Sequence, residues 1–157
     1  MDRPLPNNQQ LEREVLGTII ASYDIDQMRE WVMALREACF FNHQSRKLFN
    51  VVRRMIVDNG TLPSASSLIQ ELPNVNIMDY VSNAGLEFHM EGSIQRLKEL
   101  ELRREIIETA HKSISVGYDT ERYDGVNALL AHVNSIANEL VQRHHASTMR
   151  TTEDVIR

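Results

Sequence analysis

The sequence is short of almost everything that holds small proteins together by covalent or metal cross-links: it has one cysteine, four prolines and six glycines in 157 residues. A lone thiol forms neither an internal disulfide nor a cysteine-based zinc site. Cys39, in the apolar stretch Ala38-Cys39-Phe40-Phe41, is expected to be a small buried hydrophobe. So few glycines and prolines supply too few tight turns for a sandwich or barrel of short strands, which makes all-α the expected class. No apolar run approaches the length of a membrane span and no secretory core follows Met1, so the expected location is cytoplasmic. Basic charge is also scarce: 17 Lys and Arg against 22 Asp and Glu leave a net charge of −5. Binding to a phosphate backbone over the whole surface is therefore excluded, and any nucleic-acid contact needs a local patch.

The common catalytic signatures are missing too. No glycine opens a phosphate-binding loop closed by Lys-Ser or Lys-Thr, and Gly-x-Gly-x-x-Gly, Gly-x-Ser-x-Gly and His-Glu-x-x-His are all absent. No catalytic residue, cofactor or metal is expected in this chain. In the histidine groups Glu87-Phe88-His89-Met90-Glu91 and His144-His145 no histidine has a partner at the i, i+3 or i, i+4 spacing that sets a second ligand on its helix face. His111 and His132 fall inside helical patterns, beside the apolar positions, where a satisfied or solvent-facing ring is the ordinary outcome.

What the chain does have is helical periodicity. With 42% hydrophobic and 25% charged residues it is an ordinary globular composition, and a chain of this length buries roughly 70% of its unfolded surface. Pro4 and Pro6 hold an extended lead-in, and Asn7 or Asn8 caps a first helix from Gln9. That helix buries Leu11, Val15, Leu16, Ile19 and Ile20 and turns Glu12, Arg13 and Glu14 to solvent. Gly17 in its middle points to close helix approach. Asp24 starts a second helix with Met28, Trp31, Val32 and Leu35 inward, and Asn42 a third with Leu48, Phe49, Val52, Met55 and Ile56 inward, ending at Asn59-Gly60. Two short helices follow, one from about Ser64 to Leu72 with Leu68, Ile69 and Leu72 inward, the other from Asn76 to Gly85 with Ile77, Tyr80 and Val81 inward.

The expected architecture is a compact head of about five short helices over residues 1–86, then an antiparallel hairpin of two long helices over 87–146. The first long helix spans about 90–116 and the second follows a loop at Gly117–Asp124. Helices of about 25 residues, or about 37 Å, outreach the head, so part of the hairpin is expected to project. Its apolar residues, Leu97, Leu100, Ile107, Ile114, Val126, Leu130, Val133, Ile136 and Leu140, supply a seam, a contact with a second chain, or both. Spacing alone does not divide the two roles. Residues 146–151 are small and polar, and Thr151 or Thr152 begins a new helical pattern, so 147–157 is expected to start a linker toward a further domain.

A second candidate surface is basic. Arg46 with Arg53 and Lys47 with Arg54 lie seven residues apart on the third helix and form two stripes beside its apolar face. They carry the alternative reading, a standalone adaptor that binds nucleic acid; with no aromatic residue interleaved to stack bases, a solvated face is the simpler account.

The order of residues adds a resemblance. Pro6-Asn7-Asn8-Gln9-Gln10-Leu11-Glu12-Arg13-Glu14-Val15-Leu16-Gly17 resembles the opening of DnaB-family replicative helicases, Pro-x-x-x-Glu-Ala-Glu-x-x-Val-Leu-Gly, with Gln10 and Glu12 at the two acidic positions. Phe40-Phe41, leading through Leu48-Phe49 to Asn59-Gly60, is similar to the family's Phe-Tyr-x-x-x-His-x-x-Ile-Phe segment, with Ser45 or Arg46 in place of the histidine. Leu68 to Leu72, Tyr80-Val81 and the run Arg103-Arg104-Glu105-Ile106-Ile107 to Ala110 resemble later family segments in the same order. The resemblance implies a non-catalytic N-terminal collar domain whose hairpins pair in dimers, three to a hexameric ring, and on which primase or a helicase loader docks. It further implies that ATP, Mg²⁺ and most DNA contacts belong to an ATPase domain outside this chain.

Overall fold

A computed structural model describes residues 3–122 and 125–156, with side chains described as far as His144. Among the described residues the chain is all-α. Its helices are α1 (Gln9–Ala21), α2 (Ile25–Ala34), α3 (His43–Arg53), α4 (Ala65–Glu71), α5 (Ile77–Ser82), α6 (Met90–Tyr118) and α7 (Val126–Ile156). They fall into two compact units, Pro6–Glu101 and the residues from Leu102 onward.

The starts of the head helices follow from local side-chain chemistry. The Asn8 side chain accepts the Leu11 amide at 3.0 Å, Asp24 accepts those of Asp26 and Gln27 at 3.1 and 3.3 Å, and Asn42 those of Gln44 and Ser45 at 2.9 and 3.3 Å. Each satisfies donors that a helix N-terminus otherwise leaves open. Ser64 and Ser67 cap one another at the start of α4, and Asn76 caps α5. After Arg53 the third helix widens into one π turn, Arg54–Asp58, and closes as expected at Gly60, which takes φ +63° while the Thr61 amide reaches back 2.9 Å to the Met55 carbonyl.

Around these starts the apolar faces close into one core, with Val15, Leu16, Ile19, Met28, Val32, Phe40, Leu48, Phe49, Val52, Ile56, Leu68 and Ile77 all out of solvent. Gly17 makes the close approach foreseen for it. A Cβ there would lie 2.0 Å from the Tyr80 carbonyl oxygen, so α1 and α5 touch at a distance only glycine permits.

Three expectations about the head need correction. Glu12 does not face solvent: it is fully buried, its carboxylate accepting the Phe41 and Asn42 amides at 3.0 Å each. Those amides belong to the turn before α3, so a carboxylate on α1 fixes the entry of another helix. Ile69 does not turn inward but is 45% exposed, because α4 has under two turns and spends its buried face on Leu68. The head also does not end at residue 86, since Met90, Ile94 and Leu97 on the first turns of α6 belong to its core and the compact unit runs through Glu101.

In the second unit, α6 from Leu102 and α7 are antiparallel neighbours. α6 has 29 residues and α7 has 31, about 43 and 46 Å of helix. Gly117 lies inside α6 rather than in the connection, and residues 146–151 continue α7 without a break through Ile156 rather than forming an unpatterned tail. Asp124 and Arg157, placed by the sequence in the loop and at the linker end, lie outside the described residues.

Candidate functional site

The described residues hold little catalytic chemistry. Cys39 is 1% exposed, and its Sγ lies 3.3 Å from Glu101 Oε2. Burial, reinforced by that carboxylate, pushes the thiol up to about 12, so at neutral pH it is a protonated donor and not a nucleophile. Glu101, itself buried, has its other oxygen 2.8 Å from Arg36 Nε, an ion pair at an angle too poor for an aligned hydrogen bond. Tyr80 shares a buried hydrogen bond of 2.9 Å with Ser45, and desolvation raises its phenol above the ordinary tyrosine value. No group of three His, Cys, Asp or Glu among the described residues is placed to hold a metal ion. His89 is exposed with its ring centroid 4.0 Å from that of Phe88, and His145 lies outside the residues whose side chains are described.

The hairpin carries the more informative surface. Along α6 the half-buried or buried positions after Leu102 are Arg104, Glu105, Ile107, Thr109, Ser113 and Val116, of which Ile107 and Val116 alone are large and apolar, and on α7 they are Leu129, His132, Ile136, Leu140 and His144, spaced three to four apart. This seam is thin in large apolar groups on the α6 side, and charge completes it. Glu105 meets both Arg143, at 3.5 Å, and the His144 ring across the two helices. A small gap of about 50 Å³ beside the pair is lined by Thr109, Lys112, Ile136 and Leu140, among others.

Outside the seam, large apolar side chains remain in water. Val126, Leu130, Val133 and Val141 are 71%, 59%, 40% and 64% exposed, and their spacing of four, three and eight sets them on one stripe of α7 about 22 Å long. Ile106 and Ile114 on α6 are 50% and 55% exposed, with Ala110 exposed between them. Monomeric proteins seldom leave such a contiguous stripe uncovered.

The chain is similar to one solved structure in particular, the crystal structure of the N-terminal domain of DnaB helicase from Mycobacterium tuberculosis, with a TM-score of 0.74 and 15% identity over 87% of this chain and 99% of that one. The fold is that of a DnaB N-terminal domain. No protein-family model matches the chain, and no curated protein does.

Within this DnaB-type fold the sequence-derived residues separate. Leu97 and Leu100 are not hairpin residues: both are buried in the head unit, because the first turns of α6 serve as one of its helices. Ile136 and Leu140 line the gap between α6 and α7 and so belong with the seam, while Ile107 is half-buried. Ile114, Val126, Leu130 and Val133 are the members of the set left in solvent. The set overlooked Ile106 and Val141, although the three- to four-residue spacing that selected Val126 and Leu130 reaches both. The basic set of α3 is partly spent internally: Arg46 Nε donates to the Phe40 carbonyl at 2.7 Å and Arg54 pairs with Glu71, whereas Lys47 and Arg53 remain exposed.

Proposed function

We propose that this chain is a non-catalytic N-terminal collar domain of a replicative DNA helicase, which joins copies of the helicase into a ring and offers a docking surface to primase or a helicase loader. The observation that carries the reading is the exposed apolar stripe of α6 and α7 in a chain with the DnaB N-terminal fold. A stripe on an antiparallel hairpin suits a two-fold contact, in which the same patch on both copies covers itself. Unwinding, with its ATP and Mg²⁺, belongs in this reading to a motor domain of the full-length protein. The chain itself holds no helix long and apolar enough to cross a membrane among its described residues.

The test is assembly of a joined protein. This chain placed ahead of the ATPase domain of a DnaB-type helicase should give hexamers by native mass spectrometry, and Leu130→Asp should shift the population to smaller species, since a charge at the centre of a covered stripe costs about tenfold or more in association. Hexamers that form equally well with Leu130→Asp, or equally well without this chain, would overturn the collar reading.

A further inference from the structure

The head unit carries a concave surface of its own. A groove of about 470 Å³ lies between α1 and the first turns of α6. Its floor is apolar, formed by Leu11, Val15 and Met90, and small residues open it: Gly85 and Gly92 line it, and a Cβ added at Gly92 would meet nothing within 4 Å. Leu86 in its wall and the adjacent Phe88 are 60% and 76% exposed, so an apolar lip continues the floor into solvent.

Charge selects the occupant. Glu14 stands in the wall, and Glu87 and Glu91 are exposed on the same turns as the lining residues Leu86 and Met90. The arginine in the wall, Arg96, is already paired with Glu99 at 2.9 Å. One carboxylate offsets the half-charge at the α6 N-terminus, and the rim stays acidic after that subtraction. With glycines in its lining at Gly85 and Gly92, the groove leaves room for side chains of a third helix, and its volume suits two or three of them delivered at i, i+3 and i+4 spacing.

We infer that this groove docks a cationic amphipathic helix of a partner protein, seating leucine- or phenylalanine-sized side chains on Leu11, Val15 and Met90 and placing Lys or Arg against Glu14 of the lining and the exposed Glu87 and Glu91 next to lining residues in sequence. The inference rests on the docking part of the proposed function and not on self-association through the hairpin.

Fluorescence anisotropy on the full 157-residue chain tests it. The probe is a labelled synthetic helix of about 18 residues with Leu on one face and Lys on both flanks, compared with the same peptide carrying Glu for Lys. The Lys peptide should bind about tenfold or more tightly than the Glu peptide, and Gly92→Leu, which grows a side chain into open space, should weaken it by about tenfold with the circular dichroism and sedimentation of the chain unchanged. Glu87→Lys with Glu91→Lys, both exposed, should reverse the preference between peptides and keeps the test decisive if Gly92→Leu perturbs folding. Failure of the Lys peptide to bind, or binding that neither variant alters, would overturn the groove while leaving the hairpin reading to its own measurement.

Discussion

At the scale of single residues, two buried acids organise the head. Glu12 ties α1 to the turn before α3 through two amide hydrogen bonds, so Glu12→Ala strands two donors and should lower the free energy of unfolding by about 2–4 kcal/mol in urea titration, whereas Glu12→Gln, which keeps one acceptor, should lose about half as much. Helical periodicity set Glu12 beside Arg13 and Glu14 because local spacing cannot show a distant turn folding back onto a helix. Cys39 was legible as buried from its apolar neighbours, while its Glu101 partner, 62 residues away, was not. Its thiol is raised from 9.0 to about 12, so the folded state holds a proton that the unfolded state has lost. The stabilisation is complete below pH 9 and falls as pH rises toward 12, by about 1.4 kcal/mol per pH unit at most from this group. Tyr80 shifts in the same direction. Urea midpoints should therefore drop above pH 9 in the wild type and drop less steeply in Cys39→Ala, and a thiol reagent at pH 8 should label the folded protein far more slowly than the urea-unfolded chain.

At the scale of elements, caps and periodicity located the helices well, because Asn8, Asp24, Asn42, Ser64 and Asn76 each act through bonds no more than three residues long in sequence. Gly17 belongs with these legible features, since a glycine in an otherwise strong amphipathic pattern needs a steric reason. Gly17→Ala should force α1 from α5 at Tyr80 and cost about 3 kcal/mol, more than helix propensity could return, and the thermal midpoint would report it. The division of α6 was not legible. Its apolar residues change role partway along, from Met90, Ile94 and Leu97 in the head core to Val116, buried in the second unit, and one continuous helical pattern has no mark at which that change occurs. For the same reason the pattern sets Leu97 and Leu100 on the hairpin, although Leu97 belongs to the head core and Leu100 is buried within the head unit.

At the scale of the whole molecule, the fold class and the order of elements could be read from the sequence, and the separation of seam from open stripe could not, because it depends on which of two helix faces the neighbouring helix occupies. Ile136 and Leu140 turn toward that neighbour while Leu130, Val133 and Val141 turn away. The proposed collar role requires that a second copy of the chain cover this outward stripe. Sedimentation equilibrium of the 157-residue chain and of Leu130→Asp addresses it directly. Leu130 is 59% exposed, so its replacement leaves the folded monomer intact and acts on association alone. A covered stripe gives a reversible dimer for the wild type at micromolar concentration and a dissociation constant about tenfold or more higher for Leu130→Asp; a wild type that stays monomeric at high micromolar concentration, or a dimer that Leu130→Asp leaves unchanged, would overturn the second-copy contact.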